Sequence, residues 1–80
     1  MCLSEAIADR IHNLCKERGI TVNKLSTICG ITQSTIDYAI KTQNSKTSVS
    51  TIKKICDGLN ITLADFFNTE VFNNLEQEIK

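Results

Sequence analysis

The chain has no proline and no tryptophan, and it holds only three glycines. With no proline, nothing forces a helix to break at a fixed backbone angle. With no tryptophan and few aromatics, Ile and Leu must build the core. Gly19, Gly30 and Gly58 stand close to the places where an all-helical chain needs stops. The four cysteines, Cys2, Cys15, Cys29 and Cys56, lie 13, 14 and 27 residues apart with no C-x-x-C pair. Only His12 could join them as a ligand, so no metal is expected. No apolar run approaches the length that spans a membrane, and no apolar segment follows Met1 as a secretory leader would require. A reduced, cytoplasmic setting without disulfides is the expectation. Cys15, Cys29 and Cys56 then serve as small hydrophobes at or beside apolar helical positions. One histidine, no His/Cys/Asp cluster and no glycine-rich phosphate loop give an enzyme nothing to work with, and no cofactor is expected.

Eighty residues make one domain, near the lower limit for a self-sufficient core. The formal net charge is zero, but it is unevenly spread. From Lys24 to Lys54 five lysines face Asp37 alone, 5 − 1 = +4. From Ile55 onward Lys80 faces five acids, 1 − 5 = −4. A basic middle suits phosphate, and an acidic end suits something else.

Apolar spacing predicts five helices and no strand, an all-α bundle. The first starts near Ser4 as N-cap, buries Ile7, Ile11 and Leu14, and stops at Arg18-Gly19. Thr21 caps the second, which ends near Cys29 with Leu25 and Ile28 inward. Lys24 stands at its third position, where a cation weakens a helix slightly and a nearby phosphate would be a reason to keep it. Gly30 makes the turn, and Thr32 caps a third helix reaching Lys41 or Thr42, with Ile31, Ile36, Ala39 and Ile40 inward. A polar loop, Thr42 to Thr47, follows. The fourth helix starts at Ser48 or Ser50, buries Val49, Ile52, Ile55, Cys56 and Leu59, and ends at Gly58. Thr62 and Asp65 open the fifth, through Phe66 and Phe67. Residues 70–80 form an amphipathic tail beyond a domain of residues 1–69. In it Phe72, Leu75 and Ile79 would line one face of a short helix, folded back on the core or, the favoured expectation, forming a dimer contact.

The second and third helices, joined at Gly30, fit a helix-turn-helix. Gln33, Ser34, Asp37, Tyr38 and Lys41 then share the outward face of the third helix. Three blocks stand in order along the chain: KERGITVNKLSTICGITQSTI, SVSTIKKICDGLNIT and LADFF. Together, from about Ile7 to Phe67, they resemble the phage-repressor and Cro-like helix-turn-helix domains, the XRE type of bacterial and phage regulators. The resemblance implies a compact, lambda-repressor-like five-helix bundle whose third helix, Thr32 to Lys41, lies in the major groove of double-stranded DNA. It places Gln33, Ser34 and Tyr38 at base-reading positions. A Gln amide pairs bidentately with adenine, and a Ser hydroxyl bonds either base edge. It implies that Thr32 and Thr35 position that helix. It draws phosphate contacts from Thr21, Val22 and Asn23 at the start of the second helix, and from Lys41, Asn44, Ser45, Lys46 and Ser50 around the loop. The chain departs from the family at Thr42-Gln43, where Asn-Gly is usual, and at Thr47, where proline is common. Cys15 and Ile40 stand where some phage repressors bury an Arg–Glu pair, an exchange that need not cost stability.

The expected function is a sequence-specific transcriptional regulator, a repressor acting as a homodimer on a two-fold site with half-sites about 34 Å apart. The rival reading is a protein-interaction module of the same fold, antitoxin-like, meeting a partner protein through the acidic C-terminal tail. A cysteine-based redox sensor is a third.

Overall fold

The computed structural model describes residues 1–41 and 46–79. Among them six helices follow one another: α1 (Leu3–Arg18), α2 (Val22–Cys29), α3 (Gln33–Ala39), α4 (Val49–Leu59), α5 (Leu63–Phe67) and α6 (Glu70–Asn73). No described residue is in a strand. The first five are the helices the spacing predicts; the sixth is a single turn.

The core gathers one stripe from each of the first five. Ile7, Ile11, Leu14 and Cys15 come from α1, Leu25 from α2, and Ile36 and Ala39 from α3. Ile52, Ile55, Cys56 and Leu59 come from α4, and Phe66 from α5. Burying one such Ile, Leu or Phe side chain contributes about 1.5–3 kcal/mol. Arg10 ties α1 to α5, its Nε donating to the Phe66 carbonyl at 2.8 Å and its Nη2 to the Asp65 carbonyl at 2.9 Å.

Several boundaries differ from expectation. Cys2, not Ser4, is the N-cap of α1; Ser4 is buried in the first turn. The Glu5 carboxylate accepts the Cys2 N–H at 3.0 Å, and that bond holds its carboxyl below the ordinary range. The inward face of α2 runs through Val22, Leu25, Ser26 and Cys29, so Ile28 falls to its edge and is 42% exposed. The third helix closes at Ala39, short of Lys41, with Ile40 as its C-cap at ψ 5°. Val49 is 65% exposed because it occupies the first position of α4, ahead of the stripe that begins at Ile52.

Gly58 does not end α4. The helix runs on to Leu59 and is closed by Asn60, which takes the left-handed conformation at φ 58° that Asn tolerates better than most residues. The tail departs too. Its helix stops at Asn73, so Phe72, Leu75 and Ile79 do not share one helical face. Phe72 packs edge-on to Phe67, centroids 4.9 Å apart, and lies 6.2 Å from Phe66. Leu75 is half-buried, and Ile79 is 90% exposed. No helix among the described residues is long and apolar enough to cross a membrane.

Candidate nucleic-acid interface

Threonine side chains cap the starts of α2 and α3. Thr21 Oγ1 accepts the Lys24 N–H at 3.0 Å, and Thr32 Oγ1 accepts the Thr35 N–H at 3.2 Å. Between them Gly30 turns the chain at φ 68°, and its N–H returns to the Thr27 carbonyl. Only a residue without Cβ adopts that angle without strain. Ile36 and Ala39, wholly buried, then anchor the inner side of α3. The seven-residue helix is thereby rotated so that Gln33, Ser34, Asp37 and Tyr38 all face out.

A family model of the Cro/C1-type HTH DNA-binding domain matches residues 10–71. The chain belongs to this family. Among solved structures, "Crystal structure of the prophage Lp1 protein 11" is similar with a TM-score of 0.82 at 26% identity, covering 94% of this chain and 100% of that one. No curated protein sequence matches the chain.

In this Cro/C1-type domain the expected base readers lie along the exposed face of α3. Gln33 and Ser34 are adjacent and exposed, and Tyr38 is 39% exposed one turn on. Gln33 is not loose. Its Nε2 donates to Asp37 Oδ1 at 2.8 Å, and its Oε1 lies 3.4 Å from the hydroxyl of Ser26 on α2. Tyr38 is also engaged: its hydroxyl accepts the Lys46 N–H at 2.8 Å, and Lys41 Nζ stands 5.2 Å from its ring centroid. Thr35 is half-buried, with its hydroxyl 2.9 Å from that of Thr32, so the pair serves the cap.

Of the residues expected at phosphate, Thr21 and Asn23 are exposed at the start of α2, while Val22 is half-buried and packs on the core. Lys41, Lys46 and Ser50 are exposed on either side of the loop. Asn44 and Ser45 lie outside the described residues. Lys53 pairs with Asp57 one turn along α4, which withdraws part of the basic middle from that role. Among the described residues no three His, Cys, Asp or Glu side chains gather as a metal site would need.

Reading the sequence missed Ser26 and Arg10, and it allowed Asp37 to orient a neighbour without naming Gln33. Gln33 and Asp37 stand four residues apart on a helix, a spacing at which a Gln amide meets an acid, and that signal was present. Ser26 could be found only with α2 and α3 already placed.

Proposed function

We propose that the chain is a sequence-specific transcriptional regulator that reads the major groove of double-stranded DNA with α3. The observation that carries this is the two-sidedness of that helix. Ile36 and Ala39 are fully buried, while Gln33, Ser34, Asp37 and Tyr38 stand together in solvent on a Cro/C1-type framework. Gln33 and Ser34 read bases from the first turn, and Tyr38 contributes its ring. The exposed start of α2 at Thr21 and Asn23, together with Lys41, Lys46 and Ser50, meets the phosphates. Those contacts set register and affinity, not sequence.

Two copies are needed for discrimination. Seven helical residues rise about 10 Å, the length of about three base pairs. A homodimer on a two-fold site doubles what is read, with half-sites about one helical turn apart. Phe72 is committed to its own core, which leaves Val71, half-buried Leu75 and Ile79 as the apolar tail residues accessible to a second copy. Repression is the outcome that needs only occupancy, because a domain seated on a promoter excludes polymerase without touching it.

The test is selection of binding sites from a random duplex library, with the best site titrated at several salt concentrations. An enriched inverted repeat, with Gln33→Ala relaxing preference at one base pair per half-site, supports the reading. Salt-dependent binding without an enriched sequence limits the protein to phosphate contact. No binding at low salt transfers the function to a protein partner.

A further inference from the structure

We propose that Asp37 is a specificity-determining residue: it fixes the polarity of the Gln33 amide and so selects adenine at the base pair that Gln33 meets. The inference rests on the DNA-reading role proposed above and deepens it.

A Gln amide presents an oxygen on one side and a nitrogen on the other, and in solvent the two exchange by rotation. Here they do not exchange freely. The group 2.8 Å from Asp37 Oδ1 must be the donor, since a carboxylate only accepts and two acceptor oxygens at that distance repel. That turns Oε1 toward Ser26, whose hydroxyl lies 3.4 Å away and also reaches the Asn23 carbonyl at 2.7 Å. A single hydroxyl proton is shared between those two acceptors, so Ser26 supplies the weaker hold and Asp37 the stronger.

The amide has two N–H donors and two acceptor lone pairs. Asp37 takes one donor and Ser26 one lone pair. One N–H and one lone pair remain on an exposed residue, and selection of adenine needs them on the outward edge of the amide. In the major groove adenine offers the complement, N6–H as donor and N7 as acceptor. Guanine offers two acceptors, one of which would face Oε1. Thymine O4 meets only the N–H, and its methyl group has no partner on the amide. Asp37 thus acts on sequence through Gln33, and its negative charge works against phosphate at the same time.

Asp37→Asn tests this, because an Asn amide pairs with either orientation of Gln33 while keeping the shape of Asp37. Wild type, D37N and S26A are titrated on the selected site and on its three variants at the base pair that Gln33→Ala identifies. Wild type is expected to prefer adenine by about fivefold or more, the range of one bidentate pair. In D37N the preference falls below about threefold at that base pair alone, while affinity for unrelated duplex rises. S26A keeps most of the preference. A residue of merely structural importance would lower the thermal midpoint and all affinities together. If D37N binds every variant more tightly by one common factor and keeps its adenine preference, Asp37 is only a charge; the inference is overturned and the DNA-reading role stands. If wild type enriches no sequence, the DNA-reading role itself falls.

Discussion

Gly58 of α4 lies so close to Cys29 of α2 that a Cβ there would stand 2.5 Å from Cys29 Sγ and 3.2 Å from Cys29 Cα. The glycine is therefore a site of close approach between two helices, and it explains why α4 tolerates a poor helix former in its last turn. In an open helix Gly→Ala stabilises by about 1 kcal/mol. Here the sign reverses. The sulfur can rotate away from a new methyl group, but the Cys29 backbone yields only if α2 moves.

Gly58→Ala is expected to destabilise the domain by about 1–3 kcal/mol, lowering the thermal midpoint by about 4–8 °C for each kcal/mol. Cys29→Ala removes the sulfur, so the double variant should recover part of the loss as a favourable coupling in a double-mutant cycle. A G58A protein that melts at or above the wild-type temperature would show that the two helices separate without cost.

Arg10 closes the other side of the bundle. Its fork spans the Phe66 and Asp65 carbonyls at 2.8 and 2.9 Å, and its guanidinium carbon sits 5.9 Å from the Phe66 ring centroid. Arg10→Met keeps an apolar stem and removes two charge-assisted donors, leaving carbonyls at the end of α5 without them. A loss of about 1–3 kcal/mol in urea unfolding is expected, with DNA affinity per folded molecule unchanged. Arg10→Lys should rescue little, since an ammonium cannot reproduce a planar two-carbonyl fork.

What could be read before folding follows from what is local. The caps at Thr21, Thr32, Ser48 and Thr62 are contacts between neighbours three residues apart, and each forms in the structure. Helical stripes with two or more full turns, such as Ile52–Ile55–Cys56–Leu59, were equally plain. The Cys2 cap of α1 was a local miss; other errors came where a neighbour decides. Ile28 has the spacing of a core residue but lies at the edge of the α2 face, and Val49 extends the α4 stripe beyond the core it would join. Gly58 resembles a terminator until α2 is placed beside it. The α3 surface was legible as a set of exposed residues, but the link from Ser26 to Gln33 crosses two helices and could not be.

Burial pushes the thiols of Cys15, Cys29 and Cys56 above the ordinary value of 9.0, and Cys29 is raised further by repulsion from Cys15 and Cys56 once those ionise. The sign follows from proton linkage. The folded state keeps protons that the unfolded state releases, so these groups' contribution to stability is intact below pH 9.0 and is lost as pH rises above it. The urea midpoint should therefore fall as pH rises above 9.0, and a Cys15→Ala, Cys29→Ala, Cys56→Ala variant should show a shallower fall. At pH 7.5 a maleimide should modify half-exposed Cys2 first and reach buried Cys15 and Cys56 only as the protein opens. Rapid native labelling of Cys56 would contradict its burial.

Tyr38 carries two separable tasks, and two substitutions divide them. Its hydroxyl accepts the Lys46 N–H at 2.8 Å, which ties the end of α3 to the residues leading into α4. Its ring, 39% exposed, is the part that meets a base in the proposed complex. Tyr38→Phe removes only the tie and leaves the Lys46 N–H to water. Because Lys46 meets phosphate in the proposed complex, Y38F should weaken binding to every duplex by a similar factor, about two- to tenfold, an amount fitting one hydrogen bond of about 0.5–1.5 kcal/mol. The base preference should not move, since phosphate contacts position the protein without reading sequence. Tyr38→Ala removes ring and tie together. It should add a loss of discrimination at one base pair, a step away from the pair that Gln33 reads. If Y38F changes the preferred base, the hydroxyl itself reads the groove and the Lys46 bond must break on binding. If Y38A changes affinity alone, the ring only packs beside Lys41 and the reading falls to Gln33 and Ser34.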